Sequence, residues 1–425
     1  MRGTKQVFSP HPIPFHVNAS DLAKDTDLCV KCGLCLPHCP TYSKTQDENE
    51  SPRGRLSLIQ GWAQGALAAT PELTCHVDNC LLCRTCESVC TAYVPYGRIV
   101  DRFRQATATA GKPWTARIKS AALKQGLAGT AAPLVSGLMS GSLAGMARRV
   151  AAVAGMGELV SGLHQGSPGR GDWIGLHPAA GANEIALVSL FLGCTAALLD
   201  AETVGAAIRL LTRLGVAVRV PAGQACCGAL HWHGGDAAAT NERMDANLKA
   251  FGGQEGEPIV GFASGCGAML HDYGEIRPAE EAQRLSRRFE DIGQFLAELP
   301  SLDSLELKPL AATVALHSPC SLRNVLKADG HAGALLRRIP GLSIVPLPTQ
   351  IRCCGAAGSY MVEHPAMAGA LREDVLEAAV AANPAFLATS NPGCALHLRA
   401  GLKQRGRDDI EVLHPATLLA RQIAQ

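Results

Sequence analysis

The sequence predicts a mixed fold, α+β or α/β: a small, cysteine-rich helical domain followed by two pseudo-repeated α/β domains. Two cysteine runs of identical spacing lie within residues 29–90 and define the first domain. From residue 183 onward, short apolar runs alternate with helical stretches, which is typical of parallel βαβ units with right-handed crossovers. This alternation, together with its cysteines, occurs twice, so we expect two similar halves.

Length and composition limit the architecture and the class of protein. The 425 residues are enough for several cores, and we expect domains at residues 1–105, 183–305 and 306–425, with a helical linker region at 106–182. A net charge of +2, without a basic stripe, excludes a nucleic-acid-binding protein. The 17 cysteines fall in metal-type spacings, which indicates thiolates in a reducing compartment. Since neither a signal peptide nor an apolar run of about 18 residues occurs, we expect a cytoplasmic protein, either free or peripheral on the cytoplasmic face of the inner membrane.

The two cysteine runs share the pattern C-x2-C-x2-C-x3-C. They comprise Cys29, Cys32, Cys35 and Cys39, and then Cys80, Cys83, Cys86 and Cys90. Three thiolates at two-residue gaps can surround one corner of a cuboidal cluster, while the fourth cysteine ligates the other cluster in two-cluster ferredoxins. Structural zinc is the alternative, but zinc gains nothing from a third cysteine at the next step. We therefore predict two [4Fe–4S] clusters with crossed ligands: Cys29, Cys32, Cys35 and Cys90 for one, and Cys80, Cys83, Cys86 and Cys39 for the other.

The segment between the runs predicts a helix with two arginines in its first turn. Ser51 suits the N-cap and Pro52 the first helical position. Arg53 and Arg55 either place positive charge near an anionic cluster and tune its potential, or are solvated first-turn arginines. Cys75 lies outside both runs, and we expect it to be a buried thiol that packs as a small hydrophobic side chain.

Residues 106–180 differ in composition, with Ala, Gly, Ser, Leu and Met dominating. Their periodicity predicts weakly amphipathic helices, for example over residues 136–154. Contact with a membrane surface or a partner is one interpretation, and packing on neighbouring domains is the other. The Gly- and Pro-rich residues 166–181 predict the linker into the next domain.

The repeated region predicts three strands in each half, each followed by cysteine. The apolar runs cover residues 185–192, 216–220, 258–263, 314–319, 342–346 and 385–389. The cysteines follow as Cys194, Cys226, Cys227 and Cys266, and as Cys320, Cys353, Cys354 and Cys394, with spacings C-x31-CC-x38-C and C-x32-CC-x39-C. Open α/β sheets place their sites at the carboxyl ends of strands, so we expect the two halves to share or flank a central site.

Two interpretations of these eight cysteines stay open. They either hold a further metal or redox centre, with glycine after each Cys-Cys pair allowing a tight turn, or they form vicinal disulfides or buried structural thiols. His231, His233 and His317 lie beside them and are candidates for orienting ligands or moving protons. Since no G-x-G-x-x-G fingerprint follows a strand and no P-loop occurs, any flavin or nicotinamide chemistry belongs to another subunit.

These motifs, in this order, resemble the glycolate oxidase iron–sulfur subunit family, within the wider cysteine-rich group of heterodisulfide reductases. The resemblance covers nearly the whole chain except residues 106–180. It is carried by Asp47-Glu48, Ser51-Pro52-Arg53-Gly54-Arg55, the second cysteine run with Val94-Pro95-Tyr96-Gly97, Cys226-Cys227-Gly228-Ala229-Leu230-His231, Ala263-Ser264-Gly265-Cys266-Gly267, His317-Ser318-Pro319-Cys320 and Cys353-Cys354-Gly355-Ala356-Ala357-Gly358-Ser359-Tyr360. Heterodisulfide reductase domains with noncubane clusters end in C-x2-C. Here Ala263 and Asn391 stand at the first of those positions, leaving four cysteines in each half.

The resemblance implies an electron-transfer subunit of an oxidoreductase, and it assigns no catalytic residue to this chain. A partner FAD-containing 2-hydroxy acid dehydrogenase subunit would oxidise glycolate or a similar acid, and this chain would pass the electrons toward a quinone or another acceptor. Two alternatives stay open: a heterodisulfide-reductase-like enzyme with thiol/disulfide chemistry at the Cys-Cys-Gly site, and a non-catalytic iron–sulfur redox sensor. Co-purification with a flavoprotein would favour the electron-transfer subunit. Thiol or disulfide turnover by the isolated chain would favour the heterodisulfide-reductase-like enzyme.

Overall fold

The computed structural model describes residues 18–108, 173–180, 184–194, 200–253, 256–348 and 353–424. The regular elements of the first segment are helical. They are α1 (Ala19–Asp27), α2 (Pro40–Thr45), α3 (Pro52–Ala63), α4 (Pro71–Asp78), α5 (Thr85–Ser88) and α6 (Tyr96–Ala106), with short 3₁₀ helices at Leu36–His38 and Glu48–Glu50. The predicted helix over residues 136–154 lies outside the described residues.

Local sequence explains where these helices begin and why they pack together. The Ser51 hydroxyl accepts a hydrogen bond from the Gly54 N–H, and Pro52 opens α3, which confirms the predicted start. α1 begins similarly, because the Asn18 side chain accepts from the Ser20 N–H. Apolar side chains spaced along one face of each longer helix then form a common core. That core includes Leu22, Ile59, Val77, Ile99 and Phe103.

The first α/β half is a five-stranded sheet in the order β1-β3-β2-β4-β5. Its strands are β1 (Gly175–His177), β2 (Ala186–Phe191), β3 (Val216–Val220), β4 (Ile259–Gly261) and β5 (Phe289–Asp291). Neighbouring strands are parallel, except that β1 pairs antiparallel with β3. The helices are α7 (Ala201–Arg213), α8 (Ala229–Trp232), α9 (Ala237–Phe251), α10 (Ser264–Ile276), α11 (Glu280–Arg288) and α12 (Ile292–Glu298).

The second half is a four-stranded, fully parallel sheet in the order β7-β6-β8-β9. Its strands are β6 (Ala312–His317), β7 (Leu342–Pro346), β8 (Phe386–Thr389) and β9 (Glu411–Leu413). The helices are α13 (Asp329–Leu336), α14 (Tyr360–Glu363), α15 (Pro365–Ala381), α16 (Pro392–Gln404) and α17 (Pro415–Arg421), with a π-helical turn at Leu322–Leu326. Strands β6, β7, β8 and β9 correspond to β2, β3, β4 and β5 of the first half. In both sheets the second of these strands lies on one side of the first, and the third and fourth follow on the other side.

The two halves share one hydrophobic core. Val260 and Phe262 of the first half pack in the same cluster as Val314, Leu413 and Leu418 of the second. Burial of such side chains contributes about 1.5–3 kcal/mol each, so this core joins the two sheets firmly. The loops at the carboxyl ends of both sheets can therefore face a common space.

The six predicted strands are all present, and three further strands were not predicted. β1, β5 and β9 are each three residues long, and, unlike β4 in the run 258–263, they are not part of a predicted apolar run. Only their pairing within the sheet defines them. β1 lies inside the predicted linker at residues 166–181, where pairing with β3 gives these residues an extended backbone.

None of the helices in the described parts of the chain is both long enough and apolar enough to cross a bilayer.

Candidate functional site

Cysteines of both runs surround a small cavity at the protein surface. The cavity measures about 40 Å³, and it is lined by Cys29, Cys32, Cys35 and Cys90, and also by Cys86 of the second run. Cys32 is exposed, Cys86 is buried and the other three are partly buried. The structure thus brings the last cysteine of the second run to three cysteines of the first. With five cysteines and no carboxylate along its described lining, this donor set fits an iron–sulfur cluster.

The loops that carry the two runs have the same backbone geometry. The residues just before and after the second cysteine are left-handed in both: Lys31 (φ 57°) and Gly33 (φ 83°) in the first run, Leu82 (φ 51°) and Arg84 (φ 56°) in the second. Residues other than glycine rarely adopt this conformation, so its repetition indicates a functional constraint. In the first run, the resulting loop presents three cysteines to one cavity.

The remaining four cysteines of the two runs are buried. Cys39, Cys80, Cys83 and Cys86 are each at most 9% exposed. Burial, followed by the neighbouring thiols of Cys320 and Cys39, raises the pKa of Cys83 to about 12. Burial and then the thiols of Cys83, Cys80 and Cys39 raise the pKa of Cys86 well above its ordinary value. Cys39 is therefore close enough to Cys83 and Cys86 to influence their ionisation, and a metal cation beside these thiols would favour the thiolate form.

A buried ion pair lies directly behind Cys39. The Arg55 guanidinium, 1% exposed, pairs with Glu50 and donates to Thr41 Oγ1 (3.1 Å). That hydroxyl lies 3.3 Å from the Cys39 sulfur. The Arg55 Nε also donates to the His76 carbonyl (2.6 Å), because the side chain turns inward toward α4. The interpretation of Arg55 as a solvated arginine is therefore wrong, and its positive charge lies beside the buried cysteines.

Arg53 and Cys75 lie at the surface of the same domain. Arg53 pairs with Glu48 (2.6 Å) and donates to the Lys31 carbonyl (3.1 Å), so it supports the loop of the first run. Cys75 is exposed, and the prediction of a buried thiol is wrong. The reason is the register of α4, in which neighbouring positions such as Val77 enter the core and leave Cys75 on the outer face.

A larger cavity, of about 300 Å³, lies where the helical domain meets both α/β halves. All eight cysteines of the repeats line it: Cys194, Cys226, Cys227, Cys266, Cys320, Cys353, Cys354 and Cys394. Cys80 lines it from the helical domain. The structure thus brings the two Cys-Cys-Gly sets together at the carboxyl ends of the strands, the usual location of sites in open α/β sheets.

The glycine after each Cys-Cys pair has a backbone conformation that suits glycine. Gly228 and Gly355 have φ values of +88° and +85°. At Gly355 a β-carbon would also lie 2.4 Å from the Ala368 carbonyl oxygen, which is closer than real contacts allow. These turns direct both cysteines of each pair toward the cavity.

Within each half the thiols approach one another. The Cys194 and Cys226 sulfurs are 3.4 Å apart, and those of Cys354 and Cys394 are 2.7 Å apart. Hydrogen bonds from the thiols of Cys194 and then Cys227 hold the pKa of Cys226 well below its ordinary value. The pKa of Cys227 is raised, because its proton is shared with the Cys226 sulfur. Such mutual contacts suit either shared metal ligation or thiol chemistry.

The last cysteine of each half lies in the first turn of a helix. These are Cys266 in α10 and Cys394 in α16. The N-cap positions are Ala263 and Asn391, where C-x2-C would place a further cysteine. The Asn391 Oδ1 accepts from the Cys394 N–H (3.4 Å), and its Nδ2 donates to Ser264 Oγ (3.2 Å). Each half therefore offers four thiols, and the Asn391 amide joins α16 to α10.

Of the three candidate histidines, His233 lines the larger cavity. Its Nδ1 lies 2.9 Å from Asp101 Oδ1. His317 is buried away from the cavity lining, shares a hydrogen bond with Thr389 Oγ1 (2.9 Å), and has its pKa lowered to about 4, mainly by burial. His231 is buried too, with Nδ1 3.4 Å from an Asp236 oxygen. A role in orienting ligands or moving protons is thus best placed at His233.

The buried cysteines of the second run adjoin the larger cavity. Leu81 and Cys83 pack in one cluster with Cys353, and Cys320 packs against this cluster. Asn324 of the second half donates from Nδ2 to the Cys83 carbonyl (2.7 Å). A cysteine of the helical domain therefore shares one buried cluster with two cysteines of the second half.

Sequence reasoning missed the side chains that join the helical domain to the α/β halves. Asp101 accepts from Trp232 Nε1 (3.1 Å), and Arg84 pairs with Asp272 (2.7 Å). These partners are 131 and 188 residues apart, so no local pattern reveals them. A carboxylate at Asp101, on the buried face of α6, was the one available signal.

Two protein-family models match this chain. The 4Fe-4S dicluster domain matches residues 25–94, and the cysteine-rich domain matches residues 188–271 and again 314–399. The chain is therefore an iron–sulfur protein that combines a helical dicluster domain with two cysteine-rich α/β domains. This confirms the predicted fold class and the prediction of iron–sulfur clusters over structural zinc.

Curated relatives narrow the class to one family. The glycolate oxidase iron-sulfur subunit of Escherichia coli (strain K12) is 31% identical over 413 residues, which cover 94% of this chain and 96% of that protein. The probable glycolate oxidase iron-sulfur subunit of Bacillus subtilis (strain 168) is 27% identical, with 92% of each chain covered. Lactate utilization protein A 1 of Bacillus cereus (strain AH820) is 24% identical over 55% of this chain and 98% of that protein. The chain belongs to the glycolate oxidase iron–sulfur subunit family, which confirms the resemblance.

Proposed function

We propose that this chain is the electron-transferring subunit of a complex that oxidises glycolate or a similar 2-hydroxy acid. A partner FAD subunit carries out the oxidation, and this chain passes the electrons toward a quinone or another acceptor. The observation that carries the proposal is that Cys83 packs in one buried cluster with Cys353 and Cys320. It connects the dicluster domain to the Cys-Cys-Gly cavity within one chain, which suits electron transfer over a purely structural role for the cysteines.

The crossed ligand sets are part of this proposal. Cys29, Cys32, Cys35 and Cys90 hold one [4Fe–4S] cluster, since all four line one cavity and are less buried than Cys86, which also lines it. Cys39, Cys80, Cys83 and Cys86 hold the other. The bound clusters supply one-electron transfer at potentials set by burial, charge and hydrogen bonds. For the second set this chain provides burial, the nearby Arg55 charge, and hydrogen bonds to the Cys80 sulfur from the Leu82 N–H (3.4 Å) and Tyr96 hydroxyl (3.5 Å).

The three cysteine sites lie in an order that suits a one-way path. The first is at the surface, the second is buried, and the Cys-Cys-Gly cavity adjoins the second. We place the electron exit at this cavity, and the subunit in the cytoplasm, peripheral to the membrane that contains the quinone.

The content of iron and acid-labile sulfide, measured on anaerobically purified protein, decides whether the cavity holds a further centre. About eight irons per chain confine metal to the dicluster domain, and about twelve place a cluster among the eight repeat cysteines.

The function is tested by replacing Cys32 with serine in the intact complex. Cys32→Ser removes a ligand of the surface site, so about four irons are lost and electron flow to the acceptor stops. The partner flavin is still reduced by substrate, because the oxidation takes place on the partner. Cys75→Ser changes an exposed thiol outside all three sites and serves as the matched control. Full activity with the natural acceptor in Cys32→Ser would contradict the proposal.

Thiol/disulfide chemistry at the larger cavity is the second candidate function. It is favoured by the 2.7 Å approach of the Cys354 and Cys394 sulfurs in a cavity large enough for a small organic molecule. Turnover of a disulfide substrate by the isolated, chemically reduced chain, lost in Cys354→Ser, would support it. Electron transfer from a flavoprotein without any such turnover would favour the first function.

A further inference from the structure

We propose that an apolar surface around the exposed cysteine site is the docking surface for the electron-donating flavoprotein subunit. We call it the Cys32 face and define it by Leu28, Val30, Lys31, Leu34 and Tyr93. The inference rests on the proposed function, because it assigns a place to the partner that the function requires. It adds to the proposed function by stating which of the three cysteine sites the flavoprotein subunit contacts.

Exposed apolar side chains are concentrated on this face. Leu28, Val30, Leu34 and Tyr93 are 47%, 69%, 52% and 87% exposed. They are half of the eight large hydrophobic side chains that are exposed in the described parts of the chain. All four flank cysteines of one site, since three lie next to ligands of the first run and Tyr93 follows Cys90 by three residues. A cluster of this kind beside a redox site marks an interaction surface.

The loop of the second cysteine run contacts a neighbouring domain through positions that correspond to residues of the Cys32 face. Val30 corresponds by spacing to Leu81, which is 6% exposed and packs against the second cysteine-rich half. Leu34 corresponds to Thr85, whose hydroxyl accepts from Asn324 of that half (2.9 Å). The second loop therefore docks a neighbouring redox domain. The first loop has the same backbone and an apolar surface, which continues this mode of interaction toward another protein.

The backbone at Tyr93 is an independent sign that the ring is held outward. Tyr93 is left-handed (φ 51°), a conformation that bulky side chains rarely take. The corresponding position of the first run is Tyr42, which is not among the residues of positive φ. The spacing of the cysteine ligands therefore does not require the Tyr93 conformation. Strain of this kind at an exposed aromatic side chain is typical of a binding site.

The charge on the Cys32 face indicates what the partner presents. The Lys31 ammonium donates to Ser57 Oγ (2.8 Å) and Gln60 Oε1 (3.2 Å), both neutral, and it has no ion pair with a described carboxylate. We therefore expect the flavoprotein surface to combine an apolar patch with a carboxylate opposite Lys31. Since Cys32 itself is exposed, a protein docked here approaches the first cysteine site without intervening chain.

The test uses Tyr93→Asp and Leu28→Glu in the full-length chain, with the co-purifying FAD subunit as the partner. Neither residue lines the cluster cavity, and aspartate tolerates the left-handed backbone at position 93. We expect each variant to weaken association with the FAD subunit by about tenfold or more, because a charge replaces an apolar contact. Iron content, cluster EPR signals and reduction by dithionite should not change. Leu176→Glu alters a side chain of similar exposure (61%) in the first α/β half and should bind normally.

Lys31→Glu provides a second measurement. It should weaken association and reverse the salt dependence, since a repulsive charge pair replaces an attractive one and salt screens both.

Unchanged binding in both Tyr93→Asp and Leu28→Glu would overturn the proposal. A lowered melting temperature of the isolated variants would also overturn it, because the Cys32 face would then be covered by other parts of this chain. Loss of self-association without loss of binding to the FAD subunit would overturn it too, because the face would then bind a second copy of this chain. If the unmodified chain neither binds nor accepts electrons from the FAD subunit, the proposed function itself fails.

Discussion

The two cysteine runs have the same spacing and the same loop geometry, yet they occupy opposite environments. Cys32 of the first run is exposed, whereas its counterpart Cys83 is buried in one cluster with Cys320 and Cys353. Burial raises the pKa of Cys35 to about 11, and it raises that of its counterpart Cys86 well above the ordinary value. Two copies of one local motif have thus become a surface site and an internal site.

The difference is produced by residues far outside the motifs. The second cysteine-rich half covers the second loop through packing on Leu81 and through the hydrogen bonds from Asn324. Arg55 and Glu50 then form a buried polar network behind Cys39. Domain packing therefore gives two similar motifs different environments, one exposed and one buried. Variants at matched positions of the two motifs test this comparison.

The largest effect is expected for Cys83→Ser. We expect loss of about four irons, as in Cys32→Ser, but a different point of interruption. The surface site should still be reduced by the flavoprotein and remain reduced, because the internal site that would accept its electrons is missing. EPR of the substrate-reduced complex measures this. An oxidised surface site with full acceptor turnover would show that the buried site is not on the path.

The next effect concerns the two arginines of α3. Arg55→Met should destabilise the protein by about 3–5 kcal/mol, because it leaves the buried Glu50 without its cationic partner. Arg53→Met, two residues earlier, should lower the denaturant midpoint much less, because the Arg53–Glu48 ion pair is partly solvated. Denaturant unfolding of both variants, with iron content as a control, checks the pair. Equal midpoints would mean that the Arg55 network does not stabilise the buried motif.

A smaller effect is expected for matched apolar positions in the two loops. Leu81→Ala should cost about 2–5 kcal/mol, because it removes buried side-chain atoms from the contact with the second half. Val30→Ala, at the corresponding exposed position, should change the stability of the isolated chain by no more than about 0.5 kcal/mol. Thermal unfolding of the two variants measures the difference. Similar losses in both would show that the first loop is also covered within this chain.

Most of the fold could be predicted from sequence because its signals are local. The six predicted strands, the Ser51–Pro52 helix start and the twofold Cys-Cys-Gly repeat all depend on neighbouring residues. β1, β5 and β9 could not be predicted, since three residues form a strand only when a paired neighbour is present. The exposure of Cys75 and the burial of Arg55 were missed for a related reason: the face of a helix that enters a core depends on what packs against it.

The sequence by itself determined the chemistry of this protein. Ligand spacing is a property of a loop of a few residues, so C-x2-C-x2-C-x3-C and the paired Cys-Cys-Gly sets define an iron–sulfur protein without any tertiary information. Only the tertiary structure decided which site is exposed and which is buried, and that Cys83 packs in one cluster with Cys320 and Cys353. Burial and proximity arise from contacts between residues more than two hundred positions apart, such as Asn324 and Cys83. No local pattern can encode such contacts, because each depends on how whole domains pack.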